Sequence, residues 1–331
     1  MRKSKTPIII ANWRGFVSDL SEAKNILKNI DKEYKTLLKA KYKALKKKLP
    51  KKDLSFYLSI PSLFIYPLQE FIKSNKNLKN IIIGAQNFDE IERTNKNNKI
   101  TFFQIKSVGA KFVLLNSDYI NSEIIVPKKE EETIKSENIK SQHNKEMDKN
   151  KNTANSILLE RLNNVSKKII EENKIQEEER NYTYKKIDNK EIQILEGKVK
   201  TSLLNKMTTI LILQNIKEDL NFLIDFIKKI IKNIHYDLFN NLIICYETKN
   251  GIINVDGINI DDCQEKVIAI RRTIANMFGI DNAKKVRILY SGRIDDTNIK
   301  NILEHGGVDG VLLDEESVQP KIFAKLLTEI L

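Results

Sequence analysis

The sequence predicts an α/β protein whose parallel strands close into a (β/α)8 barrel. Eight short apolar runs recur along the 331-residue chain, with helical stretches between them. Several runs are continuous β-branched or aliphatic segments, as is typical of parallel strands that are covered on both faces. Eight strand–helix units favour a closed barrel over an open sheet, and a chain of this length exceeds the roughly 250 residues that such a barrel needs.

The predicted strands follow one another at regular intervals. They lie at residues 8–10, 56–60, 81–83, 112–115, 210–213, 242–245, 286–290 and 311–313. Between the first two, residues 35–52 are rich in lysine and place Leu38, Tyr42, Leu45 and Leu49 at helical spacing. This pattern predicts an amphipathic helix with a lysine-covered face. We expect that face to be solvated rather than to bind nucleic acid, because arginine and aromatic residues do not interleave with the lysines.

One segment interrupts the alternation of strands and helices. From about Ser122 to Glu196 the chain is dominated by Lys, Glu and Asn, and such a composition buries too little apolar surface to offset the entropy of ordering. We therefore predict a single barrel domain, residues 1–331, interrupted at about 122–196 by a disordered insertion after the fourth strand. Four residues at helical spacing predict one amphipathic helix within it: Leu158, Leu162, Val165 and Ile169. Low-complexity growth is the favoured interpretation; a lid or a partner-binding arm are the alternatives.

Composition limits the location and the chemistry. No apolar run approaches the roughly 20 residues of a membrane span, and Met1–Pro7 contains no apolar core of a signal peptide. Two cysteines, Cys245 and Cys263, do not indicate a disulfide framework. We expect a cytoplasmic protein without a membrane partner. With only three histidines, a zinc-type site is not expected either.

Four short polar segments close or follow predicted strands: Ala11–Arg14, Gly84–Asn87, Cys245–Glu247 and Tyr290–Arg293. Parallel strands deliver such segments to one rim of a barrel. Their order, their spacing and the helices between them resemble the triosephosphate isomerase family, over residues 7–121 and 197–331. The resemblance implies a TIM barrel, normally a homodimer. It also implies the interconversion of dihydroxyacetone phosphate and glyceraldehyde 3-phosphate, in glycolysis and gluconeogenesis, without a cofactor or a metal.

The resemblance also assigns catalytic positions. Glu247 matches the family's general base, and Asn12 matches the asparagine of the first loop. Arg14 stands where the family has lysine, and its planar guanidinium cannot place a compact ammonium at the same point. The family histidine is absent. Ungapped alignment puts Ser117 at its position, whereas a one-residue shift puts Asn116 there.

The positions that hold phosphate in the family differ more. The hinge of the sixth loop is Thr248–Asn250, and Ile253 replaces the distal glycine. Arg293 replaces the serine of the seventh loop, and Asp314 and Glu315 replace a glycine pair after the eighth strand. Glycines there would let backbone N–H groups approach phosphate, whereas two carboxylates repel a dianion. Arg293 could compensate in part for the lost phosphate contacts; the favoured alternative is a salt bridge between Arg293 and Asp314 that fills the pocket.

Residues of the scaffold match better. Arg271 and Asp309 match a buried ion pair of the family, and Gln86–Asn87 match the third loop. The tip of that loop, Thr94–Lys99, differs from the small residues with which the family forms its dimer.

Two functions remain open on the sequence. One is a triosephosphate isomerase-like enzyme, an intramolecular aldose–ketose isomerase with impaired activity. The other is a catalytically inactive barrel retained as a scaffold or binding protein. A third candidate, a binder of nucleic acid or of an acidic partner through the lysine-rich helix, is not expected.

Overall fold

A computed structural model describes residues 6–46, 54–89, 99–116, 189–213, 220–248 and 260–330. These residues form eight parallel strands that close into one barrel in chain order. The strands are β1 (Ile8–Asn12), β2 (Tyr57–Ile60), β3 (Ile82–Ala85), β4 (Phe112–Asn116), β5 (Thr208–Leu213), β6 (Leu242–Glu247), β7 (Arg287–Ser291) and β8 (Gly310–Leu313). The predicted fold class is confirmed, and each strand overlaps the apolar run that predicted it.

Helices follow the strands and cover the outside of the barrel. The α-helices are α1 (Leu20–Ala44), α2 (Ile65–Ser74), α3 (Phe102–Ser107), α4 (Asn189–Leu204), α5 (Leu220–Ile231), α6 (Ile260–Phe278), α7 (Ile280–Ala283), α8 (Ile299–His305) and α9 (Pro320–Glu329). Short 3-10 helices lie at Ser62–Phe64, Tyr236–Asn241 and Glu315–Val318. Within the described ranges, no helix is both long and apolar enough to cross a membrane.

The barrel has two apolar layers because successive side chains of a strand point to opposite faces. The inner layer fills the barrel interior with Ile10, Phe112, Leu114, Ile210, Ile212, Ile243, Cys245, Leu289 and Leu312. The intervening residues of the same strands face outward and pack against the helices, as Ile9 and Val311 do. Pairing of β1 with β8 closes the barrel, with Ile10 opposite Leu312.

Helix α1 confirms one part of the amphipathic prediction and corrects another. Asp19 caps its first turn by accepting a hydrogen bond from the Glu22 amide. Leu38 is buried and Tyr42 packs against the core, as expected. The helix ends at Ala44, however, so Leu45 falls beyond the buried face and is 52% exposed. Leu49 lies outside the described residues.

The segment after β4 begins where an insertion was expected. Residues 117–188, including the helix predicted around Leu158–Ile169, lie outside the described ranges. The end of the predicted insertion needs correction, because α4 already begins at Asn189. Ile192 and Leu195 are buried against the barrel, and their burial offsets the entropy of ordering this turn.

The ion pair between Arg271 and Asp309, which the resemblance implied, is present directly before the start of β8. Arg271 Nη2 lies 3.1 Å from Asp309 Oδ2, with both side chains mostly buried. The same carboxylate accepts a hydrogen bond from the Ile288 amide at 2.9 Å, and its other oxygen lies 3.5 Å from Arg287 Nε. Asp309 therefore joins α6, β7 and the start of β8.

Candidate active site

Polar side chains replace the apolar interior at the carboxyl ends of the strands. The inward positions of β1, for example, are Ile8, Ile10 and then Asn12. The same alternation places a ring of polar residues around this mouth: Asn12, Ser59, Gln86, Asn116, Glu247, Ser291 and Asp314. Active sites of (β/α)8 barrels lie at this end, because the loops that follow the strands converge there.

The loop after β1 is held rigidly at the mouth. The Trp13 amide donates to the Ser59 carbonyl at 2.9 Å, and its indole N–H donates to the Ser317 carbonyl at 3.2 Å. Arg14 follows with a φ of 35°, in the left-handed region. A non-glycine residue there costs about 1–3 kcal/mol and persists only where the surroundings enforce it. The two anchors of Trp13 supply that constraint and direct Arg14 over the mouth.

Arg14 bridges two carboxylates. Its Nε lies 2.9 Å from Asp314 Oδ1, and its Nη2 lies 3.5 Å from Glu247 Oε1. Asn12 Nδ2 donates to the same Asp314 oxygen at 2.9 Å. Glu247 is the more enclosed of the two acids, with a side chain 11% exposed against 26% for Asp314. The guanidinium charge is thus shared between two acids, one at the end of β6 and one directly after β8.

The end of β6 is fixed against β7. Glu247 pairs with Ser291 in the strand register. The next residue, Thr248, donates its amide to the Ser291 carbonyl at 3.1 Å, and its hydroxyl lies 3.3 Å from the Tyr290 hydroxyl. These contacts restrict the backbone on the carboxyl side of Glu247. The other two hinge residues, 249 and 250, and Ile253 lie outside the described ranges.

Negative charge dominates the described part of the mouth. Burial raises the pKa of the Cys245 thiol well above its usual value, and the charges of Glu247 and Asp314 add to that effect. Burial likewise raises the pKa of Glu316, with further contributions from Asp314 and Glu315. Both shifts have the direction expected when carboxylates surround an acidic group.

The expected salt bridge between Arg293 and Asp314 is wrong. Within the described residues, Asp314 pairs with Arg14, whereas Arg293 is exposed in the loop after β7. The arginines follow β1 and β7, which both pair with β8, so strand order alone does not choose between them; the side chain of Arg14 reaches Asp314, whereas Arg293 is exposed to solvent. Glu315 is also exposed. Of the two acids in the family's glycine positions, Asp314 alone is joined to Asn12 and Arg14 in the described structure.

The two candidates for the histidine position have different outcomes. Asn116 ends β4 and lines a cavity of about 220 Å³ together with Asn87, Lys198 and neighbouring residues. Ser117 lies outside the described residues. The third loop is described only at its base, where the Asp89 amide donates to the Ile100 carbonyl at 2.7 Å; of the predicted tip, only Lys99 is described.

Two members of the polar ring were given no role of their own by the sequence: Ser291 was included only within the segment Tyr290–Arg293, and Ser59 was not named. Ser59 and Ser291 are buried at the last inward positions of β2 and β7. Each serine comes two residues after a side chain that faces the barrel interior, Tyr57 for Ser59 and Leu289 for Ser291. This spacing predicts a position at the mouth only once the register of the strands is known. Three neutral atoms of the ring are buried without a hydrogen-bond partner in the described structure: Asn12 Oδ1, Ser59 Oγ and Gln86 Nε2. Each such atom costs about 1–3 kcal/mol, so they are unusual outside a binding site.

No group of three or more His, Cys, Asp or Glu side chains in the described ranges is arranged to hold a metal ion. Both cysteines are buried, unpaired thiols.

Fold and site together define a (β/α)8-barrel protein with its candidate site at the carboxyl ends of the strands. A family model described as triosephosphate isomerase matches residues 164–330, half of the chain. The chain therefore belongs to the triosephosphate isomerase family.

Individual relatives match a shorter part. A triosephosphate isomerase of Thermoanaerobacter sp. (strain X514) is 32% identical over 100 residues, which is 30% of this chain and 40% of the relative. One of Lactiplantibacillus plantarum is 30% identical over 101 residues, with the same coverage. One of Citrifermentans bemidjiense is 34% identical over 89 residues, 27% of this chain and 36% of the relative. The matched stretch thus spans at most 40% of the length of these relatives.

Proposed function

We propose that this protein is an aldose–ketose isomerase of the triosephosphate isomerase type, with impaired activity on dihydroxyacetone phosphate and glyceraldehyde 3-phosphate. The observation that carries the proposal is the position of Glu247. Its carboxylate is mostly buried at the mouth, on the end of β6, and faces Arg14 across the site. A carboxylate fixed in this way can remove a proton from a carbon next to a carbonyl.

The remaining groups support the same reaction. Glu247 takes the carbon-bound proton and returns it to the adjacent carbon, while the hydroxyl proton moves to the former carbonyl oxygen. The isomerisation therefore consumes no other reactant. Arg14 places a positive charge beside the site, where negative charge on the substrate oxygens develops in the transition state. The tight hydrogen bonds of Trp13 and Thr248 hold both groups in position.

Two features support impaired turnover. At the end of β4, Asn116 offers an amide that cannot exchange protons as an imidazole does, and loss of one positioned acid–base group costs about 100- to 10,000-fold in rate. Asp314 places a carboxylate at a position where members of the family bind the substrate phosphate. This carboxylate also forms an ion pair with Arg14, with 2.9 Å between Oδ1 and Nε. A dianionic substrate must displace or tolerate that charge.

A coupled isomerase assay of the full chain tests the proposal. Glu247→Gln keeps the shape of the side chain but removes the base, so we expect kcat to fall at least about 100-fold. Glu304→Gln, an exposed acid in α8, serves as the matched control and should leave the rate unchanged. Equal rates for the wild type and Glu247→Gln would rule out catalysis by this residue.

A catalytically inactive barrel that serves as a scaffold or binding protein is the second candidate. It is favoured by the Arg14 bridge, which engages Glu247 and Asp314 at the same time. Under this alternative neither phosphate nor a triose-phosphate analogue raises the melting temperature, whereas any ligand that binds the native state must raise it.

The family resemblance supports three further expectations: a homodimer, a role in glycolysis and gluconeogenesis, and a cytoplasmic location. Large apolar side chains are exposed in the loops and helices that follow β1, β2 and β3, namely Phe16, Leu63, Tyr66 and Phe103. An interface between two copies would bury them. Light scattering after gel filtration tests this, since a monomer has a mass of 38.4 kDa. Nucleic acid is not an expected partner.

A further inference from the structure

The charges around Asp314 do not favour a phosphorylated ligand. Arg14 is the cation that contacts Asp314, and Asp314 and Glu247 share it. The first oxygen of Asp314 already accepts hydrogen bonds from both Asn12 Nδ2 and Arg14 Nε. A phosphate dianion placed beside Asp314 would be repelled by that carboxylate and would find the guanidinium already paired.

Neutral hydrogen-bonding groups surround the same place. The unsatisfied atoms of the ring comprise an acceptor, a hydroxyl and a donor: Asn12 Oδ1, Ser59 Oγ and Gln86 Nε2. Asn12 and Ser59 are partners in the strand register, so their side chains lie next to each other. Such a set matches hydroxyl groups, which donate and accept, together with a carbonyl oxygen, which accepts, better than it matches the oxygens of a phosphate dianion, which only accept.

We propose that the site takes an uncharged, short-chain hydroxycarbonyl compound, such as an unphosphorylated triose, and that Asp314 sets this selectivity. The inference rests on the proposed function: it keeps the same isomerisation at the same site, and it attributes the impaired activity on the triose phosphates to a preference for the uncharged triose. Asp314 accepts a hydroxyl hydrogen of the ligand in addition to its contacts with Asn12 and Arg14. Glu247 acts on the carbon next to the carbonyl, and the isomerisation stays balanced as described above.

Trp13 provides a direct readout of binding. It is the single tryptophan of the chain, it is fully buried, and it immediately precedes Arg14. Its indole donates to Ser317, whose own amide donates to the Asp314 carbonyl. Intrinsic fluorescence therefore reports on both sides of the Arg14–Asp314 pair without a label. Titrations of the full-length protein with dihydroxyacetone and with dihydroxyacetone phosphate give the two dissociation constants.

We expect dihydroxyacetone to bind the wild type at least about tenfold more tightly than its phosphate ester, which corresponds to about 1.4 kcal/mol. Asp314→Asn keeps the hydrogen bonds to hydroxyl groups but removes the charge, so the ratio should shift by at least about tenfold towards the ester. Asp225→Asn, in an exposed ion pair of α5, is the matched control and should leave the ratio as in the wild type.

The inference would be overturned if the wild type bound dihydroxyacetone phosphate more tightly than dihydroxyacetone. It would also be overturned if the wild type bound neither of them. An equal ratio in Asp314→Asn and Asp225→Asn would overturn the role of Asp314. If Asp314→Asn does not fold, the ratio measured on the wild type and competition by inorganic phosphate decide the question. Binding of dihydroxyacetone without turnover of either triose would refute the proposed isomerase while it upholds the ligand class.

Discussion

Asp309→Asn tests the ion cluster that Asp309 forms with Arg271 and Arg287. This cluster fixes the start of β8 to α6 and β7, and Asp314 directly follows β8. The substitution keeps the size of the side chain and one oxygen for the Ile288 amide, which lies 2.9 Å away. It removes the charge opposite Arg271, at 3.1 Å, and Arg287, at 3.5 Å. The exposed fractions of the three side chains are only 14%, 22% and 17%, so solvent screens the two arginines poorly.

Removing one partner of a buried pair costs about 3–5 kcal/mol, because the remaining charge stays desolvated. For a domain of this size each kcal/mol lowers the melting temperature by about 2–4 °C, so we expect a drop of about 6–20 °C. Circular dichroism during heating and in urea measures it. Asp281→Asn, whose carboxylate is 93% exposed, is the control and should melt with the wild type. A loss of less than about 3 °C for Asp309→Asn would refute the reasoning.

Three further predictions concern buried groups and a helix terminus. Burial raises the pKa of the Cys245 thiol well above its usual value and that of Cys263 to about 12, so neither thiol should react with Ellman's reagent at pH 8 until the protein unfolds. Reaction of either thiol in the native protein at the rate of a free thiol would contradict this. Burial and adjacent carboxylates raise the pKa of Glu316, so its ionisation opposes folding. Glu316→Gln should therefore raise the melting temperature at pH 7. That gain should shrink as the pH falls through the raised pKa of the folded state, and should vanish below the unfolded value of about 4.3; a gain independent of pH would exclude titration as its cause. Thr101→Ala removes a capping box at the start of α3 and should lower stability by about 0.5–2 kcal/mol in urea unfolding, whereas Thr101→Ser should retain most of it.

The strands and the outer contacts could be predicted from the chain because they depend on local patterns. Continuous apolar runs such as Leu242–Cys245 are long enough to mark a buried strand without help from their neighbours. Arg271 and Asp309 could be placed because the resemblance supplied their partners. Helix ends were less predictable: the apolar spacing continued past Ala44, although the helix does not, and Leu45 is exposed as a result.

The partners within the mouth could not be predicted in the same way. Arg293 and Asp314 have opposite charges and both replace phosphate-site residues of the family, which favoured their pairing, but the carboxylate of Asp314 instead contacts Arg14 across the closure of β1 on β8. Ser59 was missed, and Ser291 was placed at the rim without a role of its own, because one inward-facing serine carries little signal until the strand register puts it beside Asn12 or Glu247.

The sequence by itself determined the barrel, the order of its strands and the carboxylate that ends β6, because each of these follows from a run of adjacent residues. Only the tertiary structure decided which charges meet at the mouth. Asp314 lies 302 positions along the chain from Asn12 and 300 from Arg14, and its contacts of 2.9 Å with both form only when the last strand closes on the first.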